Sequence, residues 1–325
     1  MASGLQKNSS TEKKKFRRFD VVTDYSDHHF IKQKNTGKKK NCFTNHRSNV
    51  YKRIMREWKS LEKDLPESIF VRVYEQRIDL LRAVIIGAQG TPYHDGLFFF
   101  DISFPFDYPN SPPLVTFRSH GLRLNPNLYE NGFVCLSLLN TWPGKANEKW
   151  KPEKSTILQV LVSLQGLVLN EKPYYNEPLR FLGGSWKFYN ETIFVLSCKT
   201  MLFSLQDPPK NFKTFVAAHF RERACTILRA CKDYRENRVL VGFFGSSCKE
   251  KSKVSSSFKK SMEKLYPDLF VAFSENGACL QNLESALKPE NTQKRSVNCR
   301  IWSFWSVFSN WLTPEKPEKG KSQAC

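Results

Sequence analysis

Apolar and polar positions follow two different rhythms along this chain. From Ser48, the run SNVYKRIMREWKSLEKDLP spaces Ile54, Trp58 and Leu61 three or four residues apart, with a Ser or Asn to start it and Pro66 just beyond. That spacing puts the apolar side chains on one face of a helix. The rhythm then shortens. IFVRVYE (69–75), DLLRAVIIGA (79–88) and GLFFFDISF (96–104) read as strands divided by turn signals such as QGTPYHDG, and Leu114 to Phe117 reads as a fourth strand between closely spaced prolines. STILQVLVSLQGLVLN (155–170) returns to helical spacing, with Ile157, Val160, Leu161, Leu164 and Val168 on one side. Two further helices are expected over 186–205 and 211–237, split by QDPP at 206–209, and one more near 257–272.

Sequential strands with helices gathered at either end predict an α+β domain around one antiparallel sheet. The stretch before Ser48 is polar and basic, with KKKFRR at 13–18 and KKK at 38–40, and is expected to be disordered. Beyond about 240 the chain turns rich in Ser and Lys. The expected organisation is a basic disordered tail (1–47), a folded core domain (48–205), a helical extension (206–240) and a mostly disordered tail (241–325). That last tail carries an aromatic amphipathic segment at 300–312.

Charge adds a constraint. The 325 residues hold 51 Lys plus Arg against 31 Asp plus Glu, a formal net charge of +20, which favours acidic partners without choosing among them. Zinc-finger spacing, an aromatic ribonucleoprotein motif and a basic zipper are all missing, so no specific nucleic-acid contact is expected. The nine cysteines are scattered, odd in number and free of any C-x-x-C pair, which argues against structural zinc and against a disulfide framework. The first twenty residues have no apolar core and no stretch nears 18 apolar residues. A reducing cytoplasmic or nuclear setting is the expectation. The basic runs suit nuclear import or electrostatic docking, or are a solvated tail.

One cysteine stands in unusual surroundings. In NPNLYENGFVCLSLL, Cys135 follows a turn-rich stretch with Asn127 eight positions before it and no histidine inside. Either it is a buried structural thiol, or its reaction needs no base beside it.

Several segments in order resemble one family. TPYHDGLFFFDISFPFDYPNSPPLVTF (91–117) resembles a P-Y-x-G-G-x-F strand followed by F-P-x-D-Y-P-x-x-P-P. NPNLYENGFVCL resembles H-P-N followed, after a Gly-x-Val step, by Cys-Leu. WKP (150–152) and NEPL (176–179) resemble W-S-P and D-D-P-L. Together, over about 48–205, they resemble the catalytic domain of ubiquitin-conjugating (E2) enzymes. The resemblance implies the ubiquitin-conjugating fold: an N-terminal helix, a four-stranded antiparallel sheet, an active-site loop and C-terminal helices. The departures are Asn125 where the family has His, Ser-Leu-Leu after Cys-Leu, and a loop lengthened by PGKANEK (143–149). With the helices after 186, they look like the large or hybrid subgroup, some of whose members act as their own ligase.

The resemblance implies that Cys135 takes ubiquitin as a thioester from an activating enzyme and yields it to a substrate lysine. Thiol exchange at a thioester is near energy-neutral, so no histidine base is required. Asn127 would donate to the oxyanion formed under lysine attack; its alternative is a turn residue that only steadies the loop. Glu177 stands at the family's acidic gate, to orient the lysine and accept its proton, or is an ordinary exposed Glu. Lys52 and Arg53 lie where the first helix meets the activating enzyme, and Phe104 either belongs to the core or, as the resemblance suggests, lies in the loop that meets a ligase. No cofactor is expected on the chain itself, ATP being used by the activating enzyme. Ubiquitin, that enzyme, a substrate protein and an E3 ligase are the implied partners.

Three other readings stand beside this one. A cysteine hydrolase would need His94 or His120 as partner, a ubiquitin-binding module of the same fold would lack the cysteine, and an enzyme for another ubiquitin-like modifier would look the same. In the tail, Ile301, Trp305, Phe308 and Leu312 recur at helical spacing. Thirteen helical residues span about 20 Å, short of a bilayer of roughly 30 Å, so this segment suits a membrane interface, a partner, or the protein's own surface.

Overall fold

The computed structural model describes residues 16–32, 41–177, 184–245 and 253–284. Residues 1–280 form one compact unit and 281–325 a second, whose described part is a short helix at Gln281–Glu284. The aromatic segment 300–312 and the lysines at 13–15 and 38–40 lie outside the described residues.

In chain order the first unit runs β1 (Phe19–Val22), α1 (Asn41–Thr44), α2 (Asn49–Asp64), β2 (Ile69–Tyr74), β3 (Arg77–Ile86), β4 (Leu97–Ser103), β5 (Leu114–Phe117), α3 (Ile157–Ser163), α4 (Trp186–Gln206), α5 (Lys213–Arg235) and α6 (Ser256–Glu275). The sheet order is β1-β2-β3-β4-β5. The four expected strands pair antiparallel, and the Leu81–Ile102, Ala83–Phe100 and Ile85–Phe98 pairs point one apolar face into the core. That core takes in Ile54 and Leu61 of α2 and Ile157, Val160 and Leu161 of α3. Side-chain caps fix the helix starts: Ser48 accepts from the Tyr51 N–H, while Thr156 and Gln159 cap α3 reciprocally. The expected helix 155–170 is α3 continued by a π-helical turn, Leu164–Val168.

The expectations for both tails need correction. Within 1–47, β1 adds a fifth strand, parallel to β2, and residues 16–30 cover the sheet's second face. The Phe16 ring lies 4.1 Å from the Arg72 guanidinium and 4.9 Å from Phe215 of α5. Buried Arg82 on β3 donates to Asp101 at 2.5 and 2.8 Å and to the Asp27 side chain and carbonyl at 2.9 Å each. His28 bonds the Leu81 carbonyl at 3.1 Å. A buried charge is tolerated when paired and hydrogen-bonded, so this network ties the leading segment to the sheet. Four residues, FDVV, are too few to show a periodicity of their own. The second correction concerns 241–325, where α6 packs Phe258, Met262, Leu265, Leu269 and Phe273 into a helical layer with α4 and α5. Phe194 of α4 meets Tyr234 edge-on at 4.9 Å, and Phe220 of α5 stacks on Phe273 at 5.9 Å. No helix among the described residues is long and apolar enough to cross a membrane.

Candidate active site

Backbone and side chain together close the loop that carries Cys135. The Cys135 N–H donates to the Asn127 carbonyl at 2.9 Å, and the Asn127 side-chain amide donates back to the Cys135 carbonyl at 3.1 Å. Between them, residues 129–133 turn back on themselves. Tyr129 donates to the Phe133 carbonyl and Gly132 to the Tyr129 carbonyl, each at 3.0 Å, and the Asn131 side chain accepts from the Phe133 N–H at 2.9 Å. Gly132 has φ +86°, and a Cβ there would lie 2.7 Å from the Phe117 carbonyl oxygen. Only glycine meets both demands. On the far side of the cysteine, the Thr141 hydroxyl accepts from the Leu136 N–H at 2.9 Å and donates to the Val134 carbonyl at 2.7 Å.

Asn125 braces the turn from beneath and is fully buried. Its side-chain oxygen accepts from the Asn127 N–H at 2.8 Å. Its amide donates to the Tyr93 hydroxyl and the Val168 carbonyl, each at 2.7 Å. Tyr93 in turn donates to the Leu124 carbonyl at 3.0 Å. Asparagine both donates and accepts, which is what this position uses.

Only 4% of the Cys135 surface is exposed, and burial pushes its thiol up. The Tyr129 hydroxyl and the Arg123 guanidinium act the other way. Arg123 is itself seated over the Tyr129 ring, 4.4 Å from its centroid. Donors and cations near a sulfur favour the thiolate. Neither histidine nominated for a hydrolase serves this thiol. His94 binds Asp95 at 2.8 Å and the Tyr234 hydroxyl at 2.9 Å, while His120 stacks on Phe203 at 5.1 Å.

The remaining predicted residues divide. Glu177 is half-buried and close enough to push the Tyr129 hydroxyl up, at the edge of the site. Lys52 is exposed on α2. Arg53, expected on the same partner-facing surface, is instead drawn inward. It donates to the Ser155 carbonyl at 2.8 Å and pairs with Glu57 at 3.1 Å, while Glu57 also accepts from the Tyr108 hydroxyl at 2.8 Å and the Ile157 N–H at 3.0 Å. A carboxylate at the start of α3 satisfies a free N–H and complements the helix dipole, so Arg53 completes a structural joint. Of the two readings of Phe104, burial favours the core one: it is 1% exposed and packs on Tyr108 at 4.7 Å. Phe106, two residues on, is the exposed aromatic of that loop, at 46%. Sequence reasoning missed Tyr93, Arg123, Tyr129 and Thr141. Tyr93 and Tyr129 lie inside quoted motifs, but nothing in their spacing reveals what their hydroxyls meet.

Similarity to known proteins agrees with this geometry. The family profile for ubiquitin-conjugating enzymes matches residues 53–182. "Probable ubiquitin-conjugating enzyme E2 25" of Arabidopsis thaliana is 57% identical over 227 residues, 68% of this chain and 36% of its own. An Arabidopsis thaliana relative numbered E2 38 in the same series of names is 51% identical over 249 residues, 73% of this chain and 74% of its own. The human "Dual E2 ubiquitin-conjugating enzyme/E3 ubiquitin-protein ligase BIRC6" is 37% identical over 246 residues, 69% of this chain and 5% of its own. The chain spans about a third of the length of the first two curated relatives it matches, 36% and 31%.

Proposed function

The chain belongs to the ubiquitin-conjugating enzyme family, and from that premise we propose that it carries ubiquitin as a thioester on Cys135 and transfers it to a substrate lysine. The observation that carries this reading is the doubly bonded Asn127–Cys135 pair within the segment that matches the family. In loading, the Cys135 sulfur attacks the thioester carbonyl of ubiquitin on an activating enzyme. A new C–S bond forms, the old one breaks, and the departing electron pair stays on the activating enzyme's sulfur. ATP is spent by that enzyme. Because one thioester replaces another, a modest thiolate fraction suffices; burial pushes the thiol up on balance, and the Tyr129 hydroxyl and Arg123 offset part of that push.

Transfer to lysine asks more of the site. As the amine nitrogen bonds to the carbonyl carbon, the oxygen gains negative charge; as the tetrahedral species collapses, the pair in the C–S bond returns to Cys135. The Asn127 amide, already 3.1 Å from the Cys135 carbonyl, is an uncharged donor beside this event. Removing one such donor costs about 10²–10³ in rate in other enzymes. The lysine, with an ordinary pKa of about 10.4, must shed a proton, and Glu177 is the carboxylate at the rim to take it. Exposed Lys52 on α2 is proposed to meet the activating enzyme. The likeness to a protein named as both conjugating enzyme and ligase supports combined character here too. Ubiquitin, the activating enzyme and a substrate protein are thus the proposed partners, with a separate ligase engaged where that combined character falls short.

The test is charging. Incubated with activating enzyme, ATP and labelled ubiquitin, the protein is expected to form an adduct cleaved by reductant, and Cys135→Ser an adduct stable to reductant or none. A reductant-sensitive adduct on Cys135→Ser would assign the chemistry to another cysteine.

A further inference from the structure

Asn176 stands where the family resemblance leads one to expect a second gate carboxylate, yet an amide is what its surroundings need. Its side-chain nitrogen donates to the Val168 carbonyl at 3.1 Å and to the Asn125 side-chain oxygen at 3.3 Å. Its oxygen accepts from the Asn170 amide at 2.6 Å, and Asn170 also donates to the Leu167 carbonyl at 2.8 Å. The Val168 carbonyl belongs to the last residue of the π-helical turn, which the Leu169 N–H closes onto the Leu164 carbonyl, and it takes donors from both Asn125 and Asn176. Asn125 then accepts from the Asn127 N–H at 2.8 Å. Four asparagines, 170, 176, 125 and 127, thereby form a continuous ladder. It runs from the segment bearing Glu177 to the donor beside Cys135.

Every rung on the Asn176 nitrogen points at an oxygen, so an ionised carboxylate at 176 would face two acceptors and donate to neither. We propose that Asn176 is a positioning residue for lysine transfer. By holding Asn125 it sets the backbone and amide of Asn127, and it ties the Glu177 segment to the same turn. This rests on the reading of Cys135 and Asn127 given above. Displacing a donor without deleting it should forfeit part of the 10²–10³ range, about tenfold.

The full chain is loaded with labelled ubiquitin, freed of activating enzyme and chased with free lysine at pH 5.5 to 8.5. Asn176→Ala is expected to discharge about tenfold more slowly than the parent at every pH. Asn176→Asp, ionised across this range at an ordinary carboxyl pKa of about 3.9, is expected to be slower still at every pH. In an Asn127→Ala background, Asn176→Ala should cost less than about twofold, because residues acting through one another are not additive. Asn176→Ser, which keeps a donor, replaces the alanine variant if that one does not fold. Discharge of Asn176→Asp as fast as the parent overturns the proposal, as does full additivity with Asn127→Ala. A parent protein that takes no ubiquitin refutes instead the functional reading beneath it.

Discussion

Replacing Asn127 by Ala separates its two roles, because they predict losses of different size in different assays. Structurally, the change deletes the 3.1 Å bond to the Cys135 carbonyl and leaves that carbonyl short of one partner. A bond of this kind contributes about 1 kcal/mol net, and stranding a buried group costs about 1–3 kcal/mol. The Asn127 carbonyl still receives the Cys135 N–H, since the backbone is untouched, so the lower end applies. A melting temperature lowered by roughly 2–4 °C per kcal/mol is then expected. Catalytically, the change deletes the oxyanion donor, at about 2.7–4 kcal/mol or 10²–10³ in rate. The catalytic loss therefore exceeds the structural one by a decade or more. It should also fall mainly on discharge to lysine, the poorer acceptor reaction. The assay is single-turnover: load with ubiquitin, remove the activating enzyme, add free lysine and follow loss of thioester, with loading rate and melting curve in parallel. Equal slowing of loading and discharge, alongside a lowered melting temperature, would refute the oxyanion role and leave Asn127 as a brace for the loop.

Glu177→Ala should slow discharge chiefly at lower pH, where free amine is scarcest, and a deficit constant from pH 6 to 9 would remove Glu177 from proton handling. Tyr129→Phe deletes a hydroxyl that holds the Cys135 thiol down, so the pH midpoint for its alkylation by iodoacetamide should rise; an unchanged midpoint would show that the contact does not reach the sulfur. Stability should fall as the pH drops below about 6.5. Burial lowers His28 and His219, and with Arg118 nearby it lowers His120 to about 4, so the unfolded chain binds protons there that the folded one refuses. Melting curves between pH 7 and 5 test this, and a flat profile contradicts it. Asp95 and Asp101, both held low by their partners, add a further loss below about pH 4.

Much of the fold was legible in the residues, for identifiable reasons. Helix α2 and strands β2 to β4 are long enough to show their own patterns, β5 is marked by the prolines around it, and such elements in this order are enough to specify an α+β core. The Cys135 loop was readable too, because turn chemistry is local: Asn125, Asn127 and Gly132 have conformational needs that few residue types meet. Arg53 and Phe104 show where that logic stops. A cation on a helix and an aromatic in a loop look like surface groups in a string of letters, and only packing reveals that Glu57 and Tyr108 wait for them inside.

The residues alone thus determined the family, the order of core elements and the identity of the candidate nucleophile, all of which depend on neighbours close in sequence. The tertiary structure decided the rest. It turned FDVV into a parallel edge strand and brought Asp27 to Arg82, 55 positions away. It folded residues 256–275 onto α4 and α5. It brought Asn176 within 3.3 Å of Asn125, 51 positions earlier. Each of these is a contact between distant segments, stabilised by burial and by pairing groups that are separately unremarkable. Local periodicity carries no record of such partners, because the energy that selects them exists only once the chain has closed around them.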